Sequence, residues 1–264
     1  MKKKMVSLYD YFNLKKGRLV KFILKRMAEF DNVEREKYFE LYNNWMPSGI
    51  DSNPLYKAWI EIGAEIYKLK IYKIDTLVCF MCVSLQNIRT IICNCSNLFN
   101  KSKTILDFGA GLGLTTILLA LNNPDKKIYY YDVPEQTKFF KYLLEQRKDK
   151  IKNMYMIENI EELKKYKFDI VISLENLEHF DKPYEHYKNI IKKITKKYFM
   201  YTASFSIDAP GHYKEYKIPS LKSGVEIVCT QKQVNRIFSK LIKKDFKQVK
   251  RFWNNKPVIM MRKK

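Results

Sequence analysis

Two clusters of residues have the types and spacing to do chemistry, one suited to holding a ligand and one to moving a proton. The first is Asp107-Phe108-Gly109-Ala110-Gly111-Leu112-Gly113, flanked by the apolar Ile105-Leu106 and the helical run Thr115 to Ala120. A glycine-rich turn between a buried strand and a helix lets backbone approach a ligand closely and aims free N–H groups at it. A dinucleotide fingerprint would place its third glycine at 114, where this chain has leucine. Asp107, two residues before the first glycine, can hold a cationic amino group. Nineteen residues after Gly113, the run Ile128-Tyr129-Tyr130-Tyr131 ends in Asp132, placed to accept hydrogen bonds from two ribose hydroxyls. The second cluster is Glu175-Asn176-Leu177-Glu178-His179, whose acids and imidazole can converge at one helical turn beside the sheet's carboxyl edge. His212, in Ser206-Ile207-Asp208-Ala209-Pro210-Gly211-His212, is expected over the same cleft. The remaining histidine, His186, falls in a polar, lysine-rich helix and reads as solvent exposed.

These side chains need a scaffold, and from residue 103 onward short β-rich runs alternate with helical periods, the signature of a parallel α/β sheet. Strands are expected over 104–108, 127–133, 154–158, 168–174 and 197–205, with a helix over 231–243. A closing antiparallel hairpin joins 247–253 to 257–261 through Asn254-Asn255-Lys256. Residues 1–98 instead repeat apolar positions at helical spacing, as in Leu19, Phe22, Ile23, Met27 and Phe30, then Tyr38, Phe39, Leu41 and Tyr42. The breaker-rich 45–54 segment reads as a loop, and Pro54 opens a helix running to about Tyr72. A further helix over 77–98 is expected to pack on the α/β region. The expected organisation is a helical cap or lid over 1–98 and an α/β domain over 99–264.

The acid, glycine and strand pattern resembles the class I S-adenosylmethionine (SAM) dependent methyltransferases, whose DxGxGxG loop matches Asp107, Gly109, Gly111 and Gly113. The resemblance covers residues 103–264 and implies a Rossmann-like, seven-stranded sheet. It also implies that Asp107 orients the methionine amino group, that Asp132 with Val133 holds the ribose end, and that Asn159-Ile160 after the third strand meets the adenine. Leu174 completes the cofactor site. In many such enzymes the Glu-His pair shapes the pocket; in others, resembling ubiquinone-pathway and small-RNA methyltransferases, ExxEH ligates a divalent ion.

Two chemistries therefore compete for the second cluster. In one, His212 or His179, with Glu178 beside them, removes a hydroxyl proton as oxygen attacks the sulfonium methyl in line; an imidazole suits that task near neutral pH. In the other, Glu175, Glu178, His179 and His212 bind Mg²⁺ or Mn²⁺, which acidifies the acceptor hydroxyl. In-line positioning in a dry site supplies much of the rate. The 45–56 segment, with Trp45, Asp51 and Tyr56, is expected to lie across the cleft and recognise the acceptor.

Composition bounds the partners. With 264 residues, 46% of them apolar and 14% aromatic, the chain can fill a core, which excludes disorder and a small disulfide scaffold. No run of ~18 uncharged apolar residues suggests a membrane span. Lys2-Lys3-Lys4 is followed by Tyr9, Asp10 and Asn13 rather than an apolar core, so the expected location is the cytoplasm. Cys79-x-x-Cys82 with Cys93-x-Cys95 has a zinc-like spacing, but Leu77, Val78, Phe80, Met81, Ile91 and Ile92 around it resemble buried helix faces. The net charge of +22 comes from 42 Lys and only 8 Arg, and residues 181–264 alone carry +15. An anionic partner is expected there. The overall pattern is similar to bacterial enzymes that methylate sugars, sugar nucleotides or other phosphorylated precursors of capsule and surface polysaccharide. The alternative is RNA 2′-O-methylation, with RNA docked on Lys192, Lys193, Lys196, Lys197, Lys243, Lys244 and Lys247.

Overall fold

A computed structural model describes residues 5–15, 17–45, 72–146, 151–205, 212–252 and 257–263. Among the described residues, α1 (Leu8–Tyr11), α2 (Leu19–Asp31), α3 (Arg35–Trp45) and α4 (Tyr72–Asn94) precede the first strand, with a short α5 (Ser96–Asn100) leading into the sheet. The sequence then alternates β1 (Thr104–Phe108), α6 (Leu114–Asn122), β2 (Lys127–Tyr131), α7 (Pro134–Glu145), β3 (Met154–Ile157), α8 (Ile160–Leu163) and β4 (Phe168–Leu174). After a turn of 3₁₀ helix at Leu177–His179, helix α9 begins with Pro183–His186 and runs through Tyr187–Ile191 and Lys192–Ile194 into β5 (Thr195–Thr202). The chain continues with β6 (Glu215–Pro219), β7 (Glu226–Thr230), α10 (Gln231–Ile242), β8 (Phe246–Arg251) and β9 (Val258–Arg262).

The main sheet has seven strands in the order β3-β2-β1-β4-β5-β9-β8. β1 to β5 are parallel, and β9 runs antiparallel between β5 and β8. This is the expected Rossmann-like sheet. The alternation of each strand sorts its side chains into two cores. Ile105, Ile128, Tyr130, Ile170, Ile172 and Met200 face one way, where α6, α7 and the cap helices cover them. Leu106, Phe108, Val171, Phe199 and Tyr201 face α9, α10 and the β6–β7 hairpin. The cap stripe is largely as expected: Leu19, Ile23, Met27 and Tyr38 are buried, with Leu24 and Ala28 beside them. Cap and sheet share one continuous apolar cluster, so the amino-terminal helices are part of the fold's core.

Local chemistry sets where the strands stop. β2 ends at Tyr131, short of the expected Val133, because Asp132 turns its carboxylate back to the amides of Gly111 and Val133 and Pro134 opens α7. β5 starts at Thr195 because α9 passes into it without a loop, and it ends at Thr202 because the Ser204 amide leaves the sheet to donate to Glu178. α10 starts where the Thr230/Gln233 capping box satisfies its first amides. The β6–β7 hairpin was not anticipated, although Tyr216, Ile218 and Cys229 turn inward from polar neighbours at a strand's period.

α4 has 23 residues, and an 18-residue window of it reaches a mean hydropathy of 1.6, the length and composition of a membrane span. In this fold Ile74, Leu77, Val78, Phe80, Ile88 and Ile91 are buried in the core, and a π-helical turn interrupts the helix at Phe80–Ser84. Trp45, expected in the 45–54 loop, instead ends α3, and Tyr72, expected to end the helix from Pro54, opens α4; residues 46–71 between them lie outside the described residues. The four cysteines of the zinc-like spacing lie on α4 or just beyond it and form no disulfide among the described residues.

A buried ion pair ties the cap together: Lys73 Nζ of α4 lies 3.0 Å from a carboxylate oxygen of Asp31 at the end of α2, and the Tyr38 hydroxyl of α3 donates to the same carboxylate. Replacing Asp31 with Ala removes the shared acceptor while leaving the ammonium in place, and should lower stability by about 3–5 kcal/mol in urea unfolding. A loss below about 1 kcal/mol would show that Lys73 reaches water instead.

Candidate active site

The glycine turn begins where β1 delivers Asp107 into the interior. The Asp107 carboxylate is 2% exposed and accepts from the Thr116 hydroxyl of α6 at 2.6 Å. Burial pushes its pKa up to about 7; the Thr116 bond works against that rise and nearby Asp132 adds to it. Gly109, Gly111 and Gly113 all have positive φ, at 72°, 55° and 73°. Side chains crowd in on all three. A Cβ would overlap the Asn176 amide at Gly109 and the Phe140 ring at Gly113, and at Gly111 it would lie 2.5 Å from the Thr76 methyl.

Across the turn, Asp132 accepts from the amides of Gly111 at 2.5 Å and Val133 at 2.6 Å. It opens onto the cavity, yet the protein packed around it raises its pKa to about 6 despite those two donors.

A cavity of about 420 Å³ starts at this turn, within the usual ~300–1,000 Å³ of small-molecule sites. Its floor is Asp107, Gly109 to Leu112, Asp132 and Val133, with Gln136 and Leu174 beside them. One wall is the first half of α4, which contributes Thr76, Cys79 and the π-turn residues Phe80, Cys82 and Val83. Glu175, Asn176, His179, Phe180, Ser204 and His212 close the far end.

At that end Glu175, at φ 49°, accepts from the Ser204 hydroxyl, while the Ser204 amide donates to Glu178 Oε1 at 3.0 Å. Glu178 is fully buried, and its Oε2 and Glu175 Oε1 are carboxylate oxygens with no donor. Burial first, and the neighbouring Glu175 second, hold the Glu178 carboxyl well above the ordinary carboxylate range. That environment favours the protonated form of the carboxyl, and a nearby cation would favour the charged one. The His179 and His212 rings meet edge to face, 4.9 Å between centroids, and Glu178, His179 and His212 each offer a ligand atom within 4.8 Å of the others.

The structure thus brings together Asp107, the three glycines, Asp132, Val133, Leu174, Glu175, His179 and His212 around one space, with Glu178 buried behind its histidine end. Glu175 contacts Glu178 but falls outside the three-residue ligand group. Asn159 does not join them. It is exposed, and its side chain caps α8 by accepting from the Glu162 amide at 2.8 Å, a role its Asn-x-x-Glu spacing announces. Ile160 packs against the opposite core. His186 also departs from expectation: it stacks on Phe180 at 3.7 Å instead of facing water, and burial lowers its pKa to about 4. Of the expected 45–56 lid, Trp45 is the last residue of α3 and 46–56 lie outside the described residues; α4 supplies the wall expected of the lid.

The docking lysines are elsewhere too. Lys192, Lys193, Lys196 and Lys197 stand where β5 starts, and Lys243, Lys244 and Lys247 where β8 starts. This is the edge of the sheet opposite Asp107 and Leu174, because β8 is parallel to β5. Among the described residues no lysine or arginine lines the cavity. Sequence reasoning missed Thr76, Thr116, Gln136, Asn176 and Ser204. Only Thr116, on the helix that follows the glycine turn, was marked by its position.

Residues 99–256 match the sequence family described as a methyltransferase domain. The chain belongs to that family of methyltransferase domains. Solved structures similar to it include the PH0226 protein of Pyrococcus horikoshii OT3, 16% identical, with 68% of this chain and 91% of that one covered and a TM-score of 0.47. Another is the magnesium protoporphyrin IX methyltransferase ChlM of Synechocystis PCC 6803 with bound SAM, 14% identical over 67% and 79% of the two chains, TM-score 0.41. A third is the glycopeptide N-methyltransferase MtfA complexed with SAM, 10% identical over 61% and 86%, TM-score 0.42. No curated protein matches the sequence significantly.

Folded Asp107 keeps its proton up to about pH 7, whereas an unfolded aspartate loses it near 3.8, so this group makes stability fall as pH rises between those values. Asp107→Asn should therefore be more stable than the parent at pH 8, with the gap closing towards pH 4, in urea melts at both pH values. Gly111→Ala should abolish SAM binding in calorimetry, and Thr76→Ser, which deletes the clashing methyl, should restore part of it. Absence of any restoration would mean that the positive φ alone decides the defect.

Proposed function

We propose that the chain methylates an oxygen of a small anionic acceptor in the cytoplasm: a sugar, a sugar nucleotide or another phosphorylated precursor of capsule or surface polysaccharide. The observation that supports the reading best is one cavity with a buried carboxylate and glycine cradle at one end and a Glu-His-His cluster at the other. The cradle fits SAM, because any Cβ on Gly109 or Gly111 would collide with the cavity's own walls. Bound there, SAM supplies an electrophilic methyl carried by a sulfonium.

The protein's residues do the remaining work. Asp107, ionised by the approach of a cationic amino group, holds the methionine end; Asp132 accepts from the ribose hydroxyls alongside Val133. Gln136, whose buried Oε1 has no donor, is the amide that meets the nucleoside, in place of Asn159. Leu174 and the α4 wall keep water away from the reacting atoms. His212 or His179 takes the proton from the acceptor hydroxyl as it attacks, and Glu178 behind them sets their charge and position. Acceptor binding relies on groups other than the lysines at the opposite edge.

A second reading rests on the donor-free oxygen of buried Glu178, which a divalent cation held with His179 and His212 would satisfy. Mn²⁺ fits such a mixed carboxylate and imidazole set better than Mg²⁺, and it would acidify the acceptor hydroxyl.

With a methyl-labelled transfer assay against extracts of surface-polysaccharide precursors, His212→Ala or His179→Ala should cut kcat by about 10²–10⁴ while the SAM Kd stays put. Both variants active would remove the base. A Mn²⁺ titration by calorimetry, lost in Glu178→Gln, and inhibition by chelators would select the metal reading. Gln136→Leu should weaken SAM about tenfold, the value of one hydrogen bond to a buried group. SAM affinity in the parent should rise as pH passes about 7, with proton release as Asp107 ionises.

A further inference from the structure

We propose that the amino-terminal edge of the parallel sheet is a docking face for an anionic lipid surface. β1 to β5 and β8 all begin at this edge and β9 ends there. Lysines stand at these strand ends: Lys103, Lys127, Lys167, Lys196, Lys247 and Lys263 are all exposed. None of these six is ion-paired among the described residues. The edge is continuous. The Lys127 amide donates to the Lys103 carbonyl at 2.9 Å, Lys197 Nζ to the Lys101 carbonyl at 2.8 Å, and the Lys263 amide to the Asp245 carbonyl at 3.0 Å. Three acids that could neutralise it are already occupied, Asp125 by Lys126, Asp169 by Lys197 and Asp245 by Lys192.

Three observations favour lipid over nucleic acid. Seven strand ends at ~4.8 Å spacing make a broad face about 30 Å across, with no groove to follow a single strand. The charges are ammonium groups, and the guanidinium at this edge, Arg262, is spent on the carbonyls of Lys192 and Thr195. Among the described residues, free bidentate readers of phosphate and base edges are therefore missing from this edge. Tyr166, 37% exposed between Lys165 and Lys167, adds the amphipathic ring favoured at bilayer interfaces. A nucleic acid held here would also sit a strand's length, ~26 Å for the eight residues of β5, from the histidines of the cavity. Lipid docking leaves the cavity open on the far side.

Sedimentation with vesicles tests this using the full chain. It should bind phosphatidylcholine vesicles containing phosphatidylglycerol, release them in high salt, and ignore phosphatidylcholine alone. Reversing four charges, K193E/K196E/K243E/K244E, should weaken that binding at least ~100-fold, since each lysine near an anionic bilayer contributes roughly fivefold. The neutral set K193Q/K196Q/K243Q/K244Q should lose at least ~10-fold, with SAM affinity and Tm unchanged in both. Equal binding to neutral vesicles, retained binding in the neutral set, or tighter binding to RNA than to anionic vesicles at equal phosphate would overturn the proposal.

Discussion

Everything at the cavity depends on a carboxylate held where water cannot solvate it. Asp107 is fixed by one hydroxyl, that of Thr116, and is otherwise surrounded by the strand and turn that carry it. Burial costs the charged form and raises the affinity for a proton, so the site is a poor place for a lone anion and a good one for a bound cation. The strand must end at Asp107 and the chain must then turn at once, which forces positive φ at Gly109, Gly111 and Gly113. A helix can then begin at Leu114 with its amides facing the same space.

The cap is built around that turn. α4 crosses close enough to the glycines for the Thr76 methyl to occupy the volume a side chain at 111 would need. Its apolar residues fill the same cluster as β1, β2 and β4, so the wall of the cavity cannot be removed without opening the core. The π-helical turn at Phe80–Ser84 shifts the register of α4 at the point where Cys79, Cys82 and Val83 face the cavity. The Asp31–Lys73–Tyr38 network holds α2, α3 and α4 in the arrangement that places this wall.

The reaction end obeys the opposite electrostatic rule from an exposed acid cluster. Burial and the neighbouring Glu175 raise the proton affinity of the Glu178 carboxyl, so its charged form needs a cation beside it. The perpendicular histidines sit where either a proton or a metal ion could be exchanged with the acceptor. Meanwhile the lysine excess lies at the other end of the strands, which separates the charge of the molecule from its chemistry.

Much of this was legible in the residues alone. The short β-rich runs located all seven main-sheet strands to within two residues at the start and all but β5 to within two at the finish, because a strand buried on both faces leaves an unmistakable apolar run. The glycine turn, Asp107, Asp132 and the Glu178-His179 pair were readable because each is defined by neighbours in sequence. Asn159 misled because an amide at a helix start serves as a cap as readily as a ligand group. His186 misled because Phe108, distant in sequence, and Phe180, six residues before it across a turn, enclose it. Local sequence by itself determined the turn, the strand alternation and the helix caps, since backbone conformation and hydrogen bonding there are settled within a few residues. Only the tertiary structure decided that Thr76 meets Gly111, that His212 meets His179, and that the lysines gather away from the cavity, because those proximities depend on strand order and helix packing rather than on spacing along the chain.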